Sequence, residues 1–251
     1  MSFTKTLIAA GLLAATATAN AVVINPSSDG AQYNLQTILN GITTGGVSSV
    51  DVQNDQLLDS ADSYWNLDSS GGSVSTFVFE IAGNKGINTF GIYDKNNTSN
   101  YVQLFGGAST PNNGFASQIT VSMLADGSIG LSGADTGVDF SSQTFGYYLG
   151  NDNTAPLFFS DSLENANQAD MMVAFQGQGT DQIQIPGFSP GLWDTNEYLL
   201  AFEDVYGGDG DYNDLVVMVE SVTPVSEPAT LALLGLGLAG LGFARRKQAK
   251  A

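Results

Sequence analysis

From Val74 onward the chain alternates short apolar runs with clusters of Gly, Asn, Asp and Ser. Runs of this length, bounded by turn-forming residues, read as β-strands. The pattern predicts strands over 74–82, 88–93, 100–106, 117–124, 128–131, 145–149, 156–160, 169–176, 181–185, 196–204 and 214–221. Turn signals such as Asn96-Asn97-Thr98, Pro111-Asn112-Asn113-Gly114 and Ala125-Asp126-Gly127 separate them. One stretch has a different period: Leu35, Ile38, Leu39 and Ile42 recur at helical spacing, predicting a single short helix over 31–40 that ends near Gly41. Many short strands and one helix point to an all-β fold, an antiparallel β-sandwich of jelly-roll type. Residues 51–68 carry Asp51, Asp55, Asp59, Asp62 and Asp68 and read as a solvated acidic loop, with Trp65 anchoring it to the core.

The two ends have patterns of their own. Residues 1–21 read as a secretory signal peptide, with Lys5 in the charged region, Leu7 to Ala15 as the apolar centre, and Ala19-Asn20-Ala21 as the cleavage site. At the other end, Ser226-Glu227-Pro228 precedes an apolar segment, Ala229 to Ala244, and then a basic cluster of Arg245, Arg246 and Lys247. As a helix that segment would span about 24 Å, a little short of the ~30 Å hydrocarbon core. Its basic flank would stay cytoplasmic, leaving everything before it outside. The expected organisation is a signal peptide over 1–21, an N-terminal β region over 22–110, a C-terminal β region over 111–223 and a tail over 224–251.

Charge narrows the chemistry. Of the 25 acids only Glu227 lies outside 22–225, and of the seven bases only Lys85 and Lys95 lie inside, so this part has a net charge of −22. A field of that sign repels nucleic acid and anionic lipid. Cysteine and histidine are absent. Disulfides, Ser-His-Asp or Cys-His nucleophiles and the usual zinc ligands are therefore excluded.

The densest chemistry lies between the last two predicted strands. Glu203, Asp204, Asp209, Asp211, Asn213 and Asp214 put five carboxylates and one amide into residues 203–214. Gly207, Gly208 and Gly210 supply the backbone freedom to fold the loop tightly. Such a hairpin tip is a nest of oxygen ligands, and Ca²⁺ is the expected cation because it accepts six to eight oxygens in a flexible geometry. Asp209, Asp211 and Asn213 alternate and so converge on one side; they are the foremost ligand candidates, with Asp214 and Glu203 next. An EF-hand is excluded. Its sixth position would be Asp214 where glycine is needed, and a strand over 215–219 would carry Glu220 roughly 20 Å away.

Two family resemblances follow from these residues. The tail resembles the PEP-CTERM sorting signal of Gram-negative bacteria, with Glu227 and Pro228 carrying the match and Ser226 standing where the family usually has proline. The resemblance implies an inner-membrane-tethered precursor, handled by an exosortase-type protease and then placed at the cell surface or in the extracellular matrix. Residues 140–221 resemble the bacterial domain of unknown function 4114. The match runs through Phe145 to Leu149, Phe159-Ser160-Asp161, Ala169 to Phe175, Phe202-Glu203-Asp204 and Gly207 to Asp214. That resemblance implies an exterior β domain with no established catalytic activity.

The leading expectation is a non-enzymatic structural or binding protein ordered by calcium. The alternative is exopolysaccharide binding, with Trp65, Trp193, Tyr147, Tyr148 and Tyr206 available to stack on sugars. A glycoside hydrolase using carboxylates alone ranks last. Glu203 and Asp204 are adjacent on a strand and face opposite sides, so they cannot form one acid/base pair.

Overall fold

The computed structural model describes residues 21–68, 72–79 (backbone course only), 86–106, 118–151, 156–185 and 187–226. The signal peptide up to Asn20, the apolar sorting segment with its basic flank, and the predicted strand beyond Phe79 lie outside the described residues. Among the described residues no helix is long and apolar enough to cross a membrane.

Among the described residues, fifteen strands are arranged in two large antiparallel sheets and one small one. The first sheet has the order β15 (Val222–Pro224), β1 (Trp65–Leu67), β8 (Thr144–Asn151), β3 (Asn88–Asp94), β4 (Asn97–Phe105), and β9 (Phe158–Phe159) also pairs with β8. The second runs β10 (Met172–Gln176), β13 (Glu197–Phe202), β14 (Leu215–Glu220), β2 (Gly72–Phe79), β5 (Gln118–Met123), β6 (Ser128–Leu131), β7 (Ala134–Asp139). A two-stranded ribbon joins β11 (Gln182–Ile183) to β12 (Gly191–Leu192). The regions before and after residue 111 are woven together, since β2 lies between β14 and β5, and β3 pairs with β8.

The period of two decides which side chains meet. On β13, Tyr198, Leu200 and Phe202 face the first sheet, joined by Leu215, Val217 and Val219 of β14 and by Phe90, Phe145, Tyr147 and Leu149 opposite. Leu199, Ala201, Val216 and Met218 point the other way, into a second core with Leu35, Leu39, Ile42, Ile183 and Trp193. Both faces of β13 and β14 are thus covered, which is why their sequences are apolar throughout and do not alternate. Trp65 sits between the sheets, its ring edge-on to Tyr147 at 5.8 Å and Tyr198 at 4.8 Å.

The expected helix forms as α1, Leu35–Ile42, and all four of its periodic apolar residues are buried. It starts later than its sequence pattern indicates. Asn34 is extended (φ −56, ψ 136), and its Oδ1 accepts from the Ser27 N–H at 2.6 Å, so Ala31–Tyr33 form a separate 3₁₀ turn. Residues 51–58 are largely exposed turn and coil and Trp65 is buried as expected, but the second half of the acidic segment is not a solvated loop. It holds a one-turn helix, α2 (Asp59–Asp62), and strand β1, with Asp62 and Trp65 both buried.

Candidate metal centre

β13 and β14 pair in register from Glu197↔Glu220 to Phe202↔Leu215, so residues 203–214 form the loop of a hairpin. The loop folds back over its own root. The Glu203 N–H donates to Met171 O at 3.0 Å, and Glu203 Oε1 accepts from the Tyr212 N–H at 2.8 Å. Gly208 crosses directly over this carboxylate, where a Cβ would stand 2.5 Å from Oε2. Any larger residue would push the carboxylate aside. Tyr212 takes a left-handed conformation (φ 52), and its hydroxyl donates to Asp170 O at 2.9 Å.

This folding brings carboxylate oxygens of Glu203, Asp209 and Asp211 within 4.8 Å of one another. Glu203 and Asp211 are buried and Asp209 is exposed, so the cluster has a floor and an open side. Ca²⁺–oxygen distances of about 2.3–2.6 Å place ligands up to ~5 Å apart across the ion, which suits this spacing. Burial pushes the Glu203 carboxyl up to about 7; the Tyr212 N–H opposes the rise, and the charges of Asp209, Asp211 and Asp204 add to it. Burial also raises Asp211, opposed by a hydrogen bond from Ser27 and reinforced by Asp209.

The other three candidates face elsewhere. Asn213 lies beside Asp211 but presents its amide nitrogen, whose two hydrogens are shared among Asp211 Oδ2 (2.6 Å), Ser27 Oγ (3.0 Å) and Tyr33 O (3.0 Å). A backbone carbonyl among those partners fixes the amide orientation, and a donor nitrogen is no cation ligand. Asp214 Oδ2 accepts from the Asp204 N–H at 2.9 Å, and burial raises its carboxyl to about 8. Asp204 Oδ2 is met by Asn88 Nδ2 at 3.3 Å. Of the foremost trio, Asp209 and Asp211 enter the carboxylate cluster, joined by Glu203, which the sequence also offers as a ligand.

Sequence reasoning missed the segment that braces the loop from the far end of the chain. The Asn25 N–H donates to Gly210 O at 2.8 Å, and Ser28 Oγ donates to Asp209 Oδ2 at 2.6 Å. Behind it, Gln53 Nε2 holds Ile24 O (2.6 Å) and Gln56 Nε2 holds Val22 O (2.9 Å). Short polar residues 180 positions away carry no local signal of such a contact.

The aromatics offered for sugar stacking are corrected by burial. Trp65, Trp193, Tyr147 and Tyr148 are all within the core, and half-buried Tyr206 packs edge-on against Phe158 at 4.9 Å. None of those four can present a ring face to a polymer.

With the loop and its neighbours placed, comparison with known families is direct. Residues 137–222 match the model of a domain of unknown function, DUF4114, and residues 224–247 match the PEP-CTERM protein-sorting motif. The chain carries a DUF4114 domain followed by a PEP-CTERM sorting signal. The DUF4114 match runs from within β7 through β14 to the first residue of β15 and contains the whole acidic hairpin. The sorting motif makes this an exported protein with a C-terminal signal for exosortase processing. Neither family model describes an enzyme. No curated protein and no solved structure matches the chain.

Proposed function

We propose that this protein is a non-enzymatic structural or binding module of the cell surface or extracellular matrix, whose acidic hairpin is ordered by calcium. Glu203, Asp209 and Asp211 are its primary ligands. The observation that carries this reading is the convergence of three carboxylate oxygens within 4.8 Å, where the charges acting on Glu203 among the described residues, those of Asp209, Asp211 and Asp204, are all acidic. At close range, unneutralised carboxylates repel by roughly 1 kcal/mol per pair even in water. Extracellular modules bind calcium with dissociation constants of about 10⁻⁴ to 10⁻³ M, which matches the concentrations met outside cells. The sorting tail is removed by the exosortase-type protease once the domain is across the inner membrane. Jelly-roll wiring belongs to the same reading, supported by β1 running beside β15 in one sheet and β2 beside β14 in the other.

The test is a thermal melt and a calorimetric titration of the full chain in detergent with calcium. The midpoint rises with calcium in the wild type, and Asp209→Asn with Asp211→Asn abolishes the rise. A wild-type chain whose midpoint ignores calcium would falsify the reading.

A further inference from the structure

Two acids of this protein are equally hidden and oppositely treated. Asp94 is 1% exposed, and its carboxylate accepts from the Ser141 N–H (2.6 Å), Ser141 Oγ (2.9 Å) and the Asn96 N–H (3.0 Å). Burial pushes Asp94 up, yet these donors outweigh it and hold the group below its ordinary value. Asp62 is 2% exposed, and its Oδ1 lies buried without a hydrogen-bond partner. Burial holds Asp62 well above the usual carboxylate range; the charges of Asp170 and Asp59 raise it further, and the N–H groups of Asp62 and Ala174 offset little.

Among the described residues no compensating cation faces Asp62, and the charges acting on it are those of Asp170 and Asp59. From its own turn it meets Asp59, whose Oδ1 is likewise buried and unpartnered. Asp170 approaches from the residues leading into β10, and Tyr212 reaches in from the acidic hairpin. Asp161 faces Asp59 from beyond. Lys95, the one basic side chain among the described residues, stands 4.1 Å over the Tyr64 ring instead. A shared dication does not fit here. Among the described residues only Glu203, Asp209 and Asp211 bring three such oxygens within 4.8 Å of one another. What remains to neutralise Asp62 is a proton.

The turn that carries Asp62 has a structural task. β10 ends its sheet, and the stretch before α2 covers its outer edge: the Leu57 N–H donates to Ala174 O at 2.9 Å, and Gln56 bridges to Phe175. We propose that Asp62 is a proton-operated latch, which seats the 56–62 segment on the edge of β10 while neutral and lifts it when ionised among Asp59 and Asp170. The sign follows from linkage. The folded chain holds this proton more tightly than the unfolded one, so stability is full below the unfolded value near 4 and is lost as pH rises through the folded value. An open edge strand is a template for another chain, so alkalinity exposes a pairing surface that acidity covers.

The full chain in detergent, with chelator present, is melted from about pH 5 to about pH 9. Wild type loses about 5 °C more than Asp62→Asn over that range, and the Leu57 amide, corrected for intrinsic exchange, loses about tenfold more protection in wild type than in the variant. Parallel pH curves for the two proteins overturn the latch. Should Asp62→Asn not fold, the wild-type Asp62 carboxyl is followed by carbon-13 NMR over the same range: its ionisation must coincide with the loss of Leu57 amide protection, and an Asp62 already ionised at about pH 5, or one that ionises without that loss, overturns the proposal. Calcium restoring the midpoint at high pH in an Asp209→Asn, Asp211→Asn background overturns it in favour of a second cation site.

Discussion

The hairpin cluster and the Asp62 pocket are built from the same residue type in the same cation-poor protein, and they solve the charge problem differently. Glu203, Asp209 and Asp211 converge, and one of them is exposed, so an ion can enter and reach all three. Asp59, Asp62 and Asp170 are spread, and Asp62 is sealed. Geometry, more than acid content, thus separates a candidate dication site from a protonated one. Tyr212 touches both: its N–H donates to Glu203 and its hydroxyl to Asp170 O.

The largest effect expected from breaking this comparison is at Trp65. Its ring fills the space between the sheets, and its Nε1 donates to Asp62 O at 2.9 Å. Trp65→Ala should cost about 3–5 kcal/mol of stability by chemical denaturation. Because the ring contacts of Trp65 are to Tyr147 and Tyr198, on strands and outside the hairpin loop, the calcium-induced gain should survive in the variant. A calcium response lost along with Trp65 would mean that the two regions are one cooperative unit.

Calcium comes next. Free ion at 100 times its dissociation constant stabilises a folded chain by about 2.7 kcal/mol. That increment should vanish in Asp209→Asn with Asp211→Asn and persist in Asp62→Asn, as read from calcium-dependent shifts of the denaturation midpoint. Equal losses in both variants would erase the distinction between the two acid groups.

How much of this could be read from the residues varies with the physics involved. The hairpin was legible because β13 and β14 are buried on both faces and therefore spell continuous apolar runs around a glycine-rich acidic loop. Helix α1 was legible from Leu35, Ile38, Leu39 and Ile42, although its start was set by a tertiary bond from Ser27 to Asn34 that no periodicity encodes. Strand β7 was not legible: Ala134–Asp139 is mostly exposed and holds one large apolar residue, Val138. Asp62 was illegible in a different way. A buried, unpartnered carboxylate has the same letter as a solvated one, and its neighbours Asp59 and Asp170 lie on separate elements.

A half-exposed pair provides a control of smaller size. Glu197 and Glu220 are Cα partners across β13 and β14. Burial first, with the Glu220 charge adding, raises Glu197, and burial raises Glu220. Both proteins, wild type and Glu220→Gln, should be equally stable near pH 3, where the acids are neutral. Stability lost by the wild type as pH rises through the raised values should be recovered by the variant, by about 0.5 kcal/mol at neutral pH once solvent screening of this half-exposed pair is discounted. A gain as large as that of Asp62→Asn would show that burial adds nothing to like-charge repulsion in this sandwich.

The smallest expected effect is at Ser28, whose hydroxyl donates to Asp209 Oδ2 at 2.6 Å. Asp209 is the exposed member of the cluster and has the most freedom to swing into solvent. If Ser28 holds it over Glu203 and Asp211, Ser28→Ala removes an orienting bond and leaves the carboxylate chemistry intact. One surface hydrogen bond to a charged group, discounted for exposure, changes an affinity by about threefold. Titration calorimetry should therefore show calcium binding about threefold weaker in Ser28→Ala, with the pH dependence of the melt unchanged because Asp62 is untouched. Unaltered calcium affinity would mean that the hairpin orients Asp209 by itself and that the segment around Ser28 merely rests on it. An altered pH dependence would mean that the brace reaches the buried pocket through Tyr212, and the two regions would then have to be treated as one titrating network.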